Sequence, residues 1–579
     1  MKLIFHYMGQ IWKRIVYVMA VKLGGTLIGL ILPYILEYMI DDLVPEKKVL
    51  PILLCGFLML FVAILTWRVN IYANRVAIGN ARQVSYEIRK DLFTRTLHLS
   101  GAQFDRFGLP SLTSRMTTDS YNVQSFIQAF QTICVRSPII MIGGIVITLI
   151  MDKALASILC VMLPILLLMI VGISMLGIPL YNRVQKRLDD FVRIMRENIT
   201  GIRVVKALSK EEHEAVRFGL ANKAMQDADI RASTILAFPG PFMQLCLNIG
   251  LSLVIYVGAL RVENGLARPG VILAFLTYFN MIIMGVMGLN RIFTMLSKAA
   301  ASADRIAEVI RTEDDQRILP EEEAKKPSGD GFVRMENVTF HYGEGKIEGE
   351  EREECLSGIS FSLKKGESLG IIGPIGSGKT TILNLLMRFY DAQEGGVFVD
   401  GKDVRAWDKD ELRSRFGIAM QNDLVFRDTI QENISFGRGL STERIEEAAK
   451  NAQAAGFVEE LEGRYEFRAD RKGMNLSGGQ RQRLMIARAL AGRPDILILD
   501  DSSSALDYRT DASLRKALRE EYPESTVIMV AQRVSSIQGM DHILVLDNGQ
   551  CVGYGSHTEL LETCPMYREI YESQMGDLG

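Results

Sequence analysis

The feature that most constrains this chain is a set of apolar runs, each about twenty residues long, confined to roughly its first half. As a helix, a run of that length crosses a hydrocarbon core of about 30 Å. Lipid offers no water to backbone polar groups, so helix is the expected state of each run. Six spans are expected, over residues 15–40, 50–67, 126–151, 154–180, 241–260 and 271–293. The whole molecule agrees: 48% of its residues are apolar and its mean hydropathy is +0.14. No short apolar segment followed by an A-x-A cleavage site stands at the start. The first run is therefore expected to be a retained helix rather than a signal peptide.

Loop length sorts the two sides of the membrane. The connections 41–49, 152–153 and 261–270 are short, whereas 68–125 and 181–240 are long and basic. The first long loop carries Arg75, Arg82, Arg89, Arg95 and Arg115, and the second Arg183, Lys186, Arg203, Lys206 and Arg217, among others. An excess of Lys and Arg marks the cytosolic face, so both loops and both termini are expected there. The loops show helical spacing with few Gly or Pro. Each reads as two legs of about 25 residues reaching roughly 35–40 Å below the membrane. Their turns are expected near 108–115 and 209–218.

Lys22, Glu37, Arg136 and Arg291 fall inside apolar spans. Such charges either line a wet path through a bundle or snorkel to the headgroup layer. The net charge of −2 supplies no basic stripe, so nucleic acid is not an expected partner. The 7 cysteines include no C-x-x-C pair and suggest neither a disulfide framework nor a zinc site.

The charged, Pro- and Gly-containing stretch 321–331 lacks apolar periodicity and reads as a linker. From Phe332 onward, short runs of Val, Ile and Leu alternate with amphipathic segments, the pattern of an α/β domain. Its strongest motif is Gly373-Pro-Ile-Gly-Ser-Gly-Lys-Thr380, a P-loop between an expected strand (368–372) and an expected helix (381–390). Glycines let backbone N–H groups curl around a phosphate, Lys379 adds a positive charge, and the Thr380 hydroxyl can ligate Mg²⁺. The helix N-terminus favours an anion further. Candidate nucleotide-binding residues are thus Gly373, Gly376, Ser377, Gly378, Lys379, Thr380 and Thr381. About 120 residues on, Ile496-Leu-Ile-Leu-Asp500 reads as a buried strand ending in a carboxylate able to hold Mg²⁺.

Between these two motifs stands Leu476-Ser-Gly-Gly-Gln480. It resembles the signature sequence of ABC transporters, and other pieces follow in that family's order. Tyr342 resembles the aromatic residue that stacks on adenine, Gln421 the Q-loop glutamine, and Ser504-Ala-Leu-Asp507 the D-loop. Ser114-Arg115 with Asp119, and Gly201 with Val205-Lys206, resemble the coupling loops of exporters. The resemblance covers essentially the whole chain and implies the exporter order. A six-helix membrane domain (1–320) precedes a linker (321–331) and a P-loop ATPase domain of ABC type (332–579) in a multi-pass protein of the cell membrane.

The resemblance also implies ATP and Mg²⁺ as cofactors, with Thr380, Gln421 and Asp500 as metal ligands. It implies a second half-transporter subunit as partner. Each nucleotide would lie between one subunit's P-loop and the other's signature, where Ser477, Gly479 and Gln480 would act on ATP held by the partner.

Two departures stand out. After Asp500 the family usually has Glu, which orients the attacking water; here it is Asp501, with a carboxylate about 1.5 Å shorter in reach. A misplacement of about 1 Å can cost about a hundredfold in rate. Where the family usually has a His contacting the γ-phosphate stands Gln532, which can donate a hydrogen bond but cannot carry a proton. The pair resembles the degenerate-site subunits of heterodimeric multidrug exporters. The expected function is therefore efflux of an amphipathic compound by a heterodimer in which this chain's own site is weak and its signature completes the partner's. Alternatives are a homodimeric lipid or peptide exporter and an ATP-gated regulatory subunit. The acidic run 344–354 reads as a solvated hairpin loop, with a regulatory or lipid-facing role as its alternative.

Overall fold

A computed structural model of the chain describes residues 1–343, 354–421, 424–502 and 506–575. The chain divides into two compact units. One comprises Met1–Leu97 with Pro110–Thr312, and the other His98–Leu109 with Glu313–Gly579.

The first unit is helical throughout. A short α1 (Lys2–Gln10) buries Leu3, Ile4, Tyr7 and Met8, and leads into α2 (Trp12–Tyr38) and the 49-residue α3 (Val49–Leu97). Within the second unit follow α4 (Gly101–Phe107) and the first residue of α5 (Leu109–Ser114). The chain then returns through α6 (Ser120–Met151), α7 (Lys153–Thr200), α8 (Ile202–Ala207), α9 (Glu211–Ala237), α10 (Pro239–Glu263) and α11 (Pro269–Arg311). Short polar connections between long apolar helices force this up-and-down course.

Among the described residues, five stretches of helix are long and apolar enough to cross a membrane: Trp12–Leu43, Val49–Leu97, Leu109–Met151, Glu211–Glu263 and Pro269–Arg311. The remaining expected span, 154–180, lies on the continuous helix α7. Among the described residues its apolar part, Lys153–Leu166, falls short of that length.

Helix α11 packs closely on α6 because small residues meet there. A Cβ on Gly288 would come within 2.1 Å of Ser137 Oγ, and one on Gly144 within 2.8 Å of an Ile282 side-chain carbon. Close approach through small residues is what gives membrane helices their packing energy. Tyr278 of α11 donates its hydroxyl to the Leu30 carbonyl oxygen of α2 at 2.7 Å. Phe275, Phe279, Ile282 and Val286 of α11 join Leu155, Leu159 and Leu166 of α7 in a buried cluster.

Each expected turn is met at its first residue, Gly108 (φ +71°) and Ser209, and each is preceded by a break the sequence did not suggest. Helix α3 stops at Leu97, and Ser100 caps α4 through a capping box with Gln103. In the second long loop the break falls at Gly201 and again at Ser209, whose φ is +51°. Helical spacing carries through such breaks without marking them, because a cap changes the backbone and not the apolar period.

In the second unit an antiparallel sheet, ordered β2-β1-β4-β5, is built from β1 (Val333–Phe340), β2 (Leu356–Leu363), β4 (Glu394–Val399) and β5 (Lys402–Asp403). A six-stranded sheet, ordered β10-β9-β3-β8-β7-β6, contains β3 (Ser368–Ile372), β6 (Phe416–Ala419), β7 (Ile496–Asp500), β8 (Thr526–Val530), β9 (His542–Asp547) and β10 (Gln550–Gly555). All its pairs are parallel except β10 with β9. Helices intervene at α12 (Lys379–Leu386), α13 (Lys409–Ser414), α14 (Ile430–Ser435), α15 (Thr442–Asn451), α16 (Ala455–Glu460), α17 (Gly478–Leu490), α18 (Tyr508–Glu521) and α19 (Val534–Ile537). The unit closes with α20 (His557–Thr563) and α21 (Pro565–Met575). Strands β3, β7 and β8 are nearly continuous apolar runs because both faces of a parallel sheet are covered.

The stretch 321–331 lies against this unit rather than free of it. Lys325 N–H donates to Asp403 Oδ2 at 3.2 Å, and Ser328 N–H to Glu336 Oε1 at 2.8 Å. All seven cysteines are free.

Candidate functional site

Ligands of an open parallel sheet sit at the C-terminal ends of its strands. Here those ends bring β3, β7 and β8 together. β3 delivers the loop that starts at Gly373, β7 delivers Asp500, and β8 leads two residues on to Gln532.

The loop's glycines answer to geometry. Gly378 has φ of +94°, and a Cβ there would lie 2.6 Å from the Cys355 carbonyl oxygen. A Cβ on Gly373 would lie 2.2 Å from the Leu546 carbonyl oxygen. Lys379 folds back over its own loop and donates from Nζ to the carbonyl oxygens of Gly373 at 2.9 Å and Pro374 at 2.6 Å. Burial lowers its pKa, and the charges of Asp500 and Asp501 work the other way. Ser377 is buried at the base of the loop. Thr381 accepts a hydrogen bond from the Tyr342 hydroxyl at 3.1 Å.

Asp500 is 4% exposed, and its described side-chain hydrogen bond comes from Thr380 Oγ1 at 3.3 Å. Burial raises its pKa, with the Thr380 bond opposing. The Lys379 charge also favours its ionised form, and a buried carboxylate is stabilised further by a cation bound directly to it. With the Gln421 amide nearby, the donors are hard oxygens of the kind Mg²⁺ takes. Thr380, Asp500 and Gln421 therefore fit the ion. When bound with nucleotide, Mg²⁺ would neutralise phosphate charge there.

Asp501 follows β7 in the left-handed region, with φ of +49°. Its N–H donates to the Val530 carbonyl oxygen at 3.0 Å, which turns the side chain off the strand line. The carboxylate oxygen Oδ2 accepts from Gln532 Nε2 at 2.7 Å and from Gln421 Nε2 at 3.2 Å. Burial raises the Asp501 pKa, while the Gln532 bond and then the Lys379 charge oppose that rise. Asp501 and Gln532 thus hold each other, and the Gln421 amide joins them.

Sequence reasoning missed Gln574 of α21. Its Nε2 donates to the Gln532 carbonyl oxygen at 2.8 Å, and its Oε1 accepts from Val534 N–H at 2.8 Å. A glutamine on a C-terminal helix carries no motif, and only the fold places it here.

Tyr342 stands edge-on to Phe340 and Tyr390, with ring centroids 4.9 and 5.1 Å apart, and accepts a bond from Asn384 Nδ2 at 3.1 Å. The signature forms the start of α17. Ser477 Oγ accepts from Gln480 N–H at 3.2 Å, and Gln480 Oε1 accepts from Ser477 N–H at 2.8 Å. This capping box ties Ser477 and Gln480 to each other and presents the N–H groups of Gly478 and Gly479 at a helix N-terminus. Asp507 caps α18 through Thr510 N–H at 2.9 Å. Ser504 and Ala505 of the expected D-loop, and residues 344–353 of the acidic run, lie outside the described residues.

The expected coupling residues separate. Ser100 Oγ donates to Asp315 Oδ2 at 2.8 Å, Tyr390 donates to Asp105 Oδ2 at 2.5 Å, and Gly101 N–H donates to the Phe389 carbonyl oxygen at 3.0 Å. The segment that packs with the ATPase fold is therefore His98–Leu109. Arg115 and Asp119 instead face α11: Arg115 pairs with Glu308 at 2.9 Å, and Asp119 accepts from Ser302 and Arg305. Gly201, Val205 and Lys206 frame α8, which buries none of its residues.

Comparison with known proteins gives the same two parts. A family profile for the ABC transporter transmembrane region matches residues 15–287, and one for the ABC transporter ATPase region, described simply as ABC transporter, matches residues 356–504. The chain is 33% identical over 553 residues to an uncharacterized ABC transporter ATP-binding protein, YfiB, of Bacillus subtilis (strain 168), covering 95% of each. It is 30% identical over 548 residues to an ATP-dependent lipid A-core flippase of Desulfotalea psychrophila, covering 93% of each. A solved structure of a bacterial Atm1-family ABC exporter with ATP bound superposes with a TM-score of 0.80 at 25% identity. It covers 97% of this chain and 99% of that one.

Proposed function

The chain belongs to the ABC transporter family, as an exporter half with membrane and ATPase regions on one polypeptide, and from that premise we propose that it is the weak-site member of an unequal pair. ABC exporters act as dimers in a lipid bilayer and couple ATP hydrolysis to transport. In this reading residues 1–320 form the membrane domain, 321–331 the linker and 332–579 a cytosolic ATPase domain.

One observation carries the proposal: Asp501 spends the same carboxylate oxygen on two amides, Gln532 at 2.7 Å and Gln421 at 3.2 Å. A carboxylate that must orient water needs that oxygen free and within reach. Here it is short, held back, and opposite an amide that cannot titrate. The P-loop then grips ATP and splits it slowly. The capping box of α17 leaves the Gly478 and Gly479 amides and the Ser477 hydroxyl for the γ-phosphate in the partner's site.

Helix α8 supports the need for a second subunit. It and the residue after it expose Ile202, Val204 and Leu208 at 45%, 61% and 64%, apolar surface that a second subunit can cover. Efflux of an amphipathic compound, multidrug efflux first, is the transport function proposed. The test is turnover. Purified alone, the chain should hydrolyse ATP slowly, and with its companion briskly. Fast hydrolysis by the chain alone, lost on Asp501→Asn, would establish an equal pair instead.

A further inference from the structure

The first half of helix α6 is rich in polar residues, of which Asn122, Ser125, Gln128 and Thr132 recur at helical spacing on one side. Opposite it, α11 carries Arg291 and Lys298, seven residues apart and so on one face. Between the two helices lies a cavity of about 440 Å³, lined among others by Asn122, Gln128, Thr132, Arg291 and Lys298.

Among the described residues, no carboxylate lines this cavity. The nearest acid on α6's N-terminal side, Asp119, is 1% exposed and already meets Arg305 and Ser302. Arg291 and Lys298 enter no ion pair among the described residues. Further along α6, Arg136 is exposed, and its charge acts on Lys22, whose Nζ is held by Asn70 and Asn74 rather than by an acid. Among the described residues, the charges that line the cavity are thus the two cations Arg291 and Lys298.

Arg291 lies about 33 Å along α11 from Pro269, roughly the full thickness of a hydrocarbon core. A cation at that level could simply snorkel to the headgroups. Snorkelling, however, calls for no cavity lined with hydroxyls and amides. Charged groups facing a wet cavity in a membrane bundle mark a ligand path. Met284 and Met287, seven and four residues before Arg291 and so near its face of α11, stand exposed at 69% and 49% and offer apolar surface to a tail.

We propose that the cavity between α6 and α11 receives the anionic headgroup of an amphiphile, with Arg291 and Lys298 meeting its phosphate or carboxylate. The inference rests on the export reading and narrows the amphipathic compound proposed above to one with an acidic headgroup. Hydroxyl and amide donors from α6 complete the shell around the acid, and the tail lies along the apolar face of α11.

The test is binding to the full-length chain in dodecyl maltoside without ATP, with dodecyl phosphate and dodecyltrimethylammonium as probes of equal tail. Dodecyl phosphate should bind about tenfold more tightly or better, the scale of one charge-assisted hydrogen bond. Arg291→Ala with Lys298→Ala should remove that preference and leave dodecyltrimethylammonium binding unchanged, and Arg291→Lys should keep most of it. Competition by phosphatidylglycerol vesicles would identify a bilayer lipid as the ligand, and its failure a single-chain amphiphile; both outcomes support the site. Equal or tighter binding of the ammonium probe, or an unchanged dodecyl phosphate affinity in the double variant, overturns it. Both side chains are exposed, and an unchanged unfolding temperature confirms that the variants fold. ATP turnover of the same preparation separates the two readings. Brisk hydrolysis alone sinks the unequal-pair account and spares the cavity, whereas lost headgroup preference sinks only the cavity.

Discussion

Asp501 sits where three constraints meet. The bond from its N–H to the Val530 carbonyl oxygen sets the backbone, the left-handed φ aims the side chain, and two amides occupy Oδ2. A longer acid would carry its carboxylate past the amides, and an imidazole in place of Gln532 could hold a charge on the phosphate. Asp501→Glu with Gln532→His should therefore raise the chain's own ATP turnover about a hundredfold. Turnover of the double variant purified alone is the measurement. No gain would mean that reach is not what limits this site. The resemblance to the family located both positions. That the two side chains bind each other was not legible, because 31 residues separate them and strand pairing closes the gap.

At the scale of elements, α4 is a helix of only seven residues held at its start by one cap. Ser100 is 4% exposed, and its Oγ both accepts from Gln103 N–H at 3.1 Å and donates to Asp315 Oδ2. Ser100→Ala removes both bonds and should destabilise the segment by about 1–2 kcal/mol. Hydrogen exchange within 98–109 should then rise ahead of that in the surrounding helices. Unchanged exchange there would show that packing of Phe107, rather than the cap, holds the element. The sequence pattern pointed to Ser114-Arg115 for this contact. Arg115 and Asp119 bond to α11 instead, and the segment that packs with the ATPase fold lies upstream, at His98–Leu109.

At the scale of the molecule, the P-loop and the signature are expected to serve different sites. Lys379→Ala disables the weak site of an unequal pair and should cost its turnover no more than about tenfold. Ser477→Ala removes a donor from the strong site and should cost about a hundredfold. Steady-state ATPase of the assembled pair distinguishes the two, and equal losses would indicate equal sites.

Length and apolarity alone determined that this chain spans a membrane through helices, because lipid leaves backbone groups no other partner. Gly373–Thr380, with Leu476–Gln480 and Asp500, likewise announced a nucleotide site, because phosphate chemistry admits few residue types at few spacings. Tertiary structure alone decided which segment docks on the ATPase fold, that Gln574 steadies Gln532, and that two cations line a cavity between α6 and α11. Those depend on side chains far apart in the chain meeting in space, and no local period or motif encodes such a meeting.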